Sequence, residues 1–324
     1  MTSPFEFPNL EQIEATAQIV YGVMPPTPQY SWPTLNQRVG AEVWVKHENH
    51  TPIGAFKVRG GICYLEQLAQ SKGKITGVIA ATRGNHGQSI GFAARLHGIA
   101  ATIIVPNDNS VEKNRAMQAL GVTLIEQGAD YQDALEYAYA LADRENLDMA
   151  PSFDPILVTG VATYAWELFK AVSDLDAVYV PIGLGSGICG TIAVREALAR
   201  STEIIGVVSD GAPTYALSLA QRCPVCHEVT TTLADGLACR TPNPTALNVI
   251  LDHVQRVVRV TDAQVAEAMR ILFSDTHNLA EGAGAAGLAA LLIEREQMRG
   301  KKVAVVLTGG NVDQDVLARV LSEK

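Results

Sequence analysis

Four short stretches carry side chains able to do chemistry. In TPIGAFKVRGG (51–61), Lys57 follows Phe56 in an otherwise uncharged run crowded by Gly54, Gly60 and Gly61. An amine stripped of water loses part of its affinity for a proton, and the free base suits Schiff-base chemistry. The competing reading is a surface lysine snorkelling past Phe56. In ATRGNHGQ (81–88), Arg83, Gly84, Asn85 and His86 sit where an apolar run meets a helical pattern. That start of a helix suits a carboxylate or a phenolate oxygen, although Asn85 capping the helix explains it equally well. In GLGSGICG (183–190), Gly183, Leu184, Gly185, Ser186 and Gly187 let backbone N–H groups approach an anion at another helix start. The same letters spell G-x-G-x-x-G at Gly185, Gly187 and Gly190, with Asp210 about 20 residues on, so a nicotinamide dinucleotide and a plain turn both stay open. Finally, LTGGN (307–311) closes an apolar strand with the hydroxyl of Thr308, two glycines and an amide. A turn with a capping Asn is the bland alternative.

The elements that must hold these loops follow from periodicity. From residue 75, β-branched runs alternate with helical periods: ITGVIAA, QSIGFAARLHG, ATIIVP, VEKNRAMQALG and VTLIEQG. Strands separated by helices of 10 to 15 residues pair in parallel with helices on both faces. A second series runs DAVYVPI, GLGSGICGTIAVREALA, EIIGVVSD, an irregular segment at 210–255, RVVRV, TDAQVAEAMRILF, EGAGAAGLAALLIERE and KKVAVVLT, with Thr261 and Asp262 supplying an N-cap. The first 50 residues hold Pro-rich turns and one clear strand, EVWVKHE. Two α/β lobes with a cleft at the carboxyl ends of their strands are expected.

A chain of 324 residues exceeds what one hydrophobic core commonly supports, roughly 250 to 300 residues. Its net charge of −9, with no basic cluster, argues against nucleic acid or an anionic membrane as partner. The N-terminus MTSPFEFPNLEQIEA lacks the basic and apolar regions of a signal peptide, and no apolar run reaches about 18 unbroken residues. Five irregularly spaced cysteines fit a reducing cytoplasm rather than a disulfide framework. RCPVCH (222–227) spells C-x-x-C-H. Haem attachment would need export and a zinc site would need further ligands, so Cys223 and Cys226 read as an ordinary loop.

In this order the four stretches resemble the serine/threonine dehydratases, fold type II pyridoxal-phosphate enzymes whose group includes serine racemases. The resemblance runs from about residue 20 to the end of the chain. It implies a two-lobed α/β fold, each lobe a mostly parallel sheet covered by helices: residues 1–75 with 153–324 as a large cofactor-binding domain, and 76–152 as a small substrate-contacting domain. It implies pyridoxal 5'-phosphate as cofactor and Lys57 as the Schiff-base lysine, with Ala55 in place of the usual serine. Phe56 and Gly236 are implied on the two faces of the cofactor ring, Asn85 on its ring oxygen, Thr308 on its nitrogen and Glu281 close by. Residues Gly183 to Gly187 match a four-glycine phosphate loop in which Leu184 and Ser186 replace glycines, Ser186 adding a donor.

The implied reaction is α,β-elimination from a β-hydroxy-L-amino acid, threonine or serine first, with hydroxyaspartate and phenylserine as alternatives. Arg83 stands where the group's racemases carry a proton-shuttling serine. A guanidinium is a poor proton shuttle and a good carboxylate ligand, so Arg83, Gly84, Asn85 and His86 are read as the substrate-binding segment of a lyase. Val208 falls where metal-binding relatives place a glutamate, so no metal is expected there. The regulatory extension of biosynthetic deaminases is not expected either. A homodimer or homotetramer is the default assembly. A racemase, a nicotinamide-dependent oxidoreductase and an amino-acid-binding protein remain as competing readings.

Overall fold

The computed structural model describes residues 5–323; the first four residues, part of the N-terminal stretch read above, and Lys324 lie outside it. Two sheets organise the chain. One is six-stranded, in the order β1 (Gln29–Ser31), β2 (Glu42–His47), β10 (Lys302–Leu307), β7 (Ala177–Pro181), β8 (Glu203–Ser209), β9 (Val257–Val260). The other is four-stranded, in the order β5 (Thr123–Glu126), β4 (Ala101–Val105), β3 (Val78–Ala81), β6 (Asp148–Met149). All their pairings are parallel except the one between β1 and β2. The α/β architecture expected from the alternating pattern is present, and the smaller sheet takes all its strands from one continuous stretch.

Alternation along the strands sends side chains to separate cores. On β7, Ala177 and Tyr179 join the core under helices Asp262–Thr276 and Gly282–Ile293, while Val178 and Val180 join the core under helices Pro155–Ala171 and Ser186–Ala197. On β3, Val78 and Ala80 face one layer, Ile79 and Ala81 the other. Helices on both faces explain why these strands are continuous apolar runs.

Two local readings change. A helix, Leu10–Tyr21, occupies a stretch with no element assigned to it; Asn9 and Gln12 form its capping box, and Ile13, Ala17 and Val20 bury one side. The segment 210–255 is not irregular throughout, since it holds helices Thr214–Gln221 and Pro244–His253, the second started by Asn243 and a proline. Gly-rich EGAGAAGLAALLI forms the helix Gly282–Ile293 despite low propensity. A side chain at Gly284 would meet the backbone N of Gly309 at 3.2 Å, so the helix packs closer to the 308–310 loop than alanine would permit. Thr261 caps Asp262–Thr276 as expected, through a box with Gln264. Among the described residues, no helix is long and apolar enough to cross a membrane.

Beneath helix Lys57–Ser71 lies a buried ionic cluster. Arg59 Nε donates to Glu48 Oε2 at 2.7 Å and its Nη1 to Glu167 Oε1 at 2.6 Å, while Lys46 Nζ donates to Glu167 Oε2 at 2.6 Å. Burial alone would push the Glu48 carboxyl up; Arg59 and Lys46 outweigh it and hold it below the usual carboxylate range. The cluster ties β2 to helices Lys57–Ser71 and Pro155–Ala171, with Arg59 two residues along the helix from Lys57.

Candidate active site

A cleft of about 970 Å³ opens at the carboxyl ends of the strands. Three strand ends feed it: residues 82–86 after β3, residues 183–187 after β7 and Thr308 after β10. Phe56 and Lys57 line it beside them, as do Asp235, Gly236 and Glu281. Residues separated by up to 252 positions in the chain, Phe56 and Thr308, thus share one wall.

Lys57 is the first residue of helix Lys57–Ser71, and its Nζ donates to Ser186 Oγ at 3.1 Å. It lies 5.2 Å from the centre of the Phe56 ring, and burial lowers its amine pKa to about 8. The lysine therefore points across the cleft and does not snorkel to the surface. Phe56 is pinned from the opposite strand end, its backbone N–H donating to the Thr308 carbonyl at 3.0 Å.

Gly185 takes a left-handed φ of 104° at the N-cap of helix Ser186–Ala197. That turn aims the first N–H groups of the helix into the cleft, where they have no intrahelical partner. Side chains are excluded on either side: a Cβ on Gly183 would sit 2.5 Å from the Gly236 carbonyl oxygen, and one on Gly185 2.5 Å from Ala246 Cβ. Leu184 is accommodated because it turns into the core and its carbonyl accepts from Tyr215 Oη at 2.9 Å. Tyr164 Oη donates likewise to the Gly187 carbonyl at 2.9 Å, so these carbonyls are tied back while N–H groups face the cavity.

Asn85 is not the helix cap; Gly84 occupies that position, and the Asn85 amide has other partners. Its Nδ2 donates to Glu281 Oε1 at 2.7 Å, and its Oδ1 accepts from Asn311 Nδ2 at 2.8 Å. Asn311 is itself fixed, donating to the Ile53 carbonyl at 2.9 Å. These bonds decide the amide's orientation and leave the second Nδ2 proton for the cleft. Asn311 escaped the sequence reading as anything more than a turn amide, although it stands in the LTGGN stretch.

Glu281 is buried, and among the described residues its Oε2 has no hydrogen-bond partner. Burial raises its carboxyl pKa to about 7, against a lowering by Lys113; Asp235 adds to the rise and the Asn85 bond opposes it. Lys113, from the smaller sheet's side, reaches Asp235 at 2.5 Å. Neither Lys113 nor Asp235 carried any local signal, since each is one charge in an ordinary polar stretch.

Arg83 is exposed and lines the cleft, and among the described residues its guanidinium makes no ion pair. Gly84 N–H donates to Thr82 Oγ1 at 2.9 Å, which shapes the turn. His86 lines the cleft but is buried; burial, then the nearby Lys57 charge, lowers its pKa to about 4, so it offers a neutral ring. Asp210 is paired with Arg259 at 2.6 Å, and a Cβ on Gly190 would meet Ala162 N at 3.0 Å; both have structural employment away from a dinucleotide. Val208 is a core residue. Cys223 and Cys226 are exposed, and no group of three or more His, Cys, Asp or Glu is placed to hold a metal among the described residues.

The family described as pyridoxal-phosphate dependent enzyme matches residues 21–309. The chain belongs to that family. Its relatives include the L-threonine ammonia-lyase of Thermotoga maritima, 31% identical over 97% of this chain and 78% of the relative. The L-threo-3-hydroxyaspartate ammonia-lyase of a Pseudomonas species is 32% identical over 91% of this chain and 92% of its own. Among solved structures, the processed threonine deaminase isoform 2 of Solanum lycopersicum superposes with a TM-score of 0.89 at 25% identity, over 100% of this chain and 99% of that one. Maize serine racemase gives 0.90 at 25% identity, over 97% of each chain. The cofactor is pyridoxal phosphate, which sets the nicotinamide alternative aside. The residues present fit it: a depressed-pKa lysine, an anion-binding turn, an amide with a proton to spare and a buried carboxyl oxygen without a partner meet in one cavity.

Proposed function

We propose that the protein is an ammonia-lyase that dehydrates a β-hydroxy-L-amino acid, threonine or serine first, to a 2-oxo acid and ammonia. The observation that carries the reading is Lys57, whose amine stands beside the 183–187 turn with its pKa lowered to about 8 by burial. Lys57 would hold the cofactor covalently, residues 183–187 its phosphate, Asn85 its ring oxygen and Thr308 its ring nitrogen. Phe56 and Gly236 would lie against its two faces, with Glu281 behind Asn85. When bound, the cofactor supplies an electron-withdrawing ring that makes the substrate's Cα proton acidic.

The chain's own residues do the rest. The Lys57 amine, released by the incoming amino acid, takes the Cα proton on Nζ. Thr308, a neutral hydroxyl, provides no carboxylate to keep a proton on the ring nitrogen, which favours loss of the β-hydroxyl over amino transfer. Arg83 and the free N–H groups that open helix Asn85–Leu96 bind a substrate carboxylate. Lys57→Ala is expected to remove both the visible absorbance band of lysine-bound cofactor and all ammonia release. Threonine, serine, hydroxyaspartate and phenylserine, assayed side by side for ammonia and 2-oxo acid, identify the substrate. A wild-type protein with no such band, or none of these activities, overturns the proposal.

A further inference from the structure

The anion-binding turn departs from an all-glycine pattern at Ser186, and that departure touches the reacting amine. Ser186 is 2% exposed, the first residue of helix Ser186–Ala197, and its Oγ accepts from Lys57 Nζ at 3.1 Å. Its own hydroxyl proton finds no acceptor among the described residues. Nζ also lies 5.2 Å from the centre of the Phe56 ring, and the nearby His86 is held neutral with one ring nitrogen turned to the Ala150 carbonyl at 3.4 Å. Ser186 is thus the oxygen placed to exchange a proton with Lys57. It lies at the same time beside the backbone N–H groups that gather an anion.

We infer that Ser186 is the proton partner of Lys57: it accepts the proton that Nζ has taken from Cα and passes its own hydroxyl proton to the anion held by residues 183–187. From there the proton leaves with the departing β-hydroxide as water. One proton leaves Cα and one arrives on the hydroxide, Lys57 returns to the free amine and Ser186 to the hydroxyl, so no co-reactant is needed. A glycine at this position offers no such route. In its resting role the same hydrogen bond stabilises the charged amine and orients Nζ.

This inference rests on Lys57 being the cofactor-bearing base, and its test separates the two. In cofactor-free protein, the pH dependence of Lys57 acylation reads the amine pKa directly. Ser186→Ala and Ser186→Gly are expected to lower it by about half a unit to one unit, because a hydrogen bond favouring the charged form is lost, and Ser186→Thr to restore it. In the loaded enzyme the same two variants are expected to lose about tenfold or more in kcat with KM little changed, again restored by Thr. An unchanged amine pKa with unchanged kcat in both variants overturns the inference, whether or not cofactor affinity falls, and leaves Ser186 a phosphate ligand. A Lys57→Ala protein that keeps the visible band instead overturns the assignment of Lys57 itself.

Discussion

At the scale of single residues, the site works through desolvation. To act as the proposed base Lys57 must be neutral, and burial lowers its pKa to about 8. The neutral fraction grows as pH rises through that value, so kcat is expected to climb roughly tenfold per pH unit below about 8 and level off above it. A pH profile of single-turnover rates checks this; a rate independent of pH from roughly 6 to 9 would remove Lys57 as the base. Arg83 is the residue proposed to hold the substrate carboxylate. Arg83→Ser removes from the cleft wall a guanidinium with no ion pair among the described residues and is expected to raise KM by about tenfold or more, in keeping with a charge-assisted bond to a carboxylate. It also restores a hydroxyl where the group's racemases carry one. Chiral analysis of the recovered substrate shows whether racemisation follows, and a variant with wild-type KM would exclude Arg83 from substrate binding.

Elements meet the site through unusually close helix packing. Helix Lys57–Ser71 is pressed between two others: a Cβ on Gly61 would meet the Ser89 carbonyl oxygen at 2.8 Å, and one on Gly60 the Leu157 carbonyl oxygen at 2.9 Å. Ser89 Oγ donates to the Lys57 carbonyl at 2.6 Å, so the same contact fixes the first turn, from which Lys57 projects. Gly61→Ala therefore pushes helix Asn85–Leu96 away and is expected to cost about 1–3 kcal/mol of stability. Cofactor affinity should fall with it, since Lys57 and Asn85 sit on the two helices being separated. Urea unfolding and cofactor titration measure the two effects. A fully stable Gly61→Ala protein would show that the helices can slide apart freely.

For the molecule as a whole, the buried cluster of Arg59, Glu48, Glu167 and Lys46 joins elements far apart in the chain. Glu167→Ala leaves the Arg59 and Lys46 charges short of a partner in a dry interior and is expected to cost about 3–5 kcal/mol. Glu167→Gln, which keeps some of the hydrogen bonds, should fall between that variant and the wild type in urea midpoint. Equal midpoints for all three would mean that water reaches the cluster.

The local chemistry was legible along the chain: a lysine in a dry Gly-rich run, a glycine turn before a helix, a hydroxyl closing an apolar strand, and strands alternating with helices. Each of these depends on neighbours within a few residues, because backbone conformation and periodicity are set locally. Partnerships across the fold were not legible. Asn311 orienting Asn85 spans 226 positions, Lys57 reaching Ser186 spans 129, and the neutral state of His86 follows from burial that no letter in its own segment announces. Hydrogen bonding and desolvation are properties of what surrounds a group in space. The sequence by itself determined which groups are available and at which strand ends they sit; only the tertiary structure decided which of them touch, which are dry, and which proton each one holds.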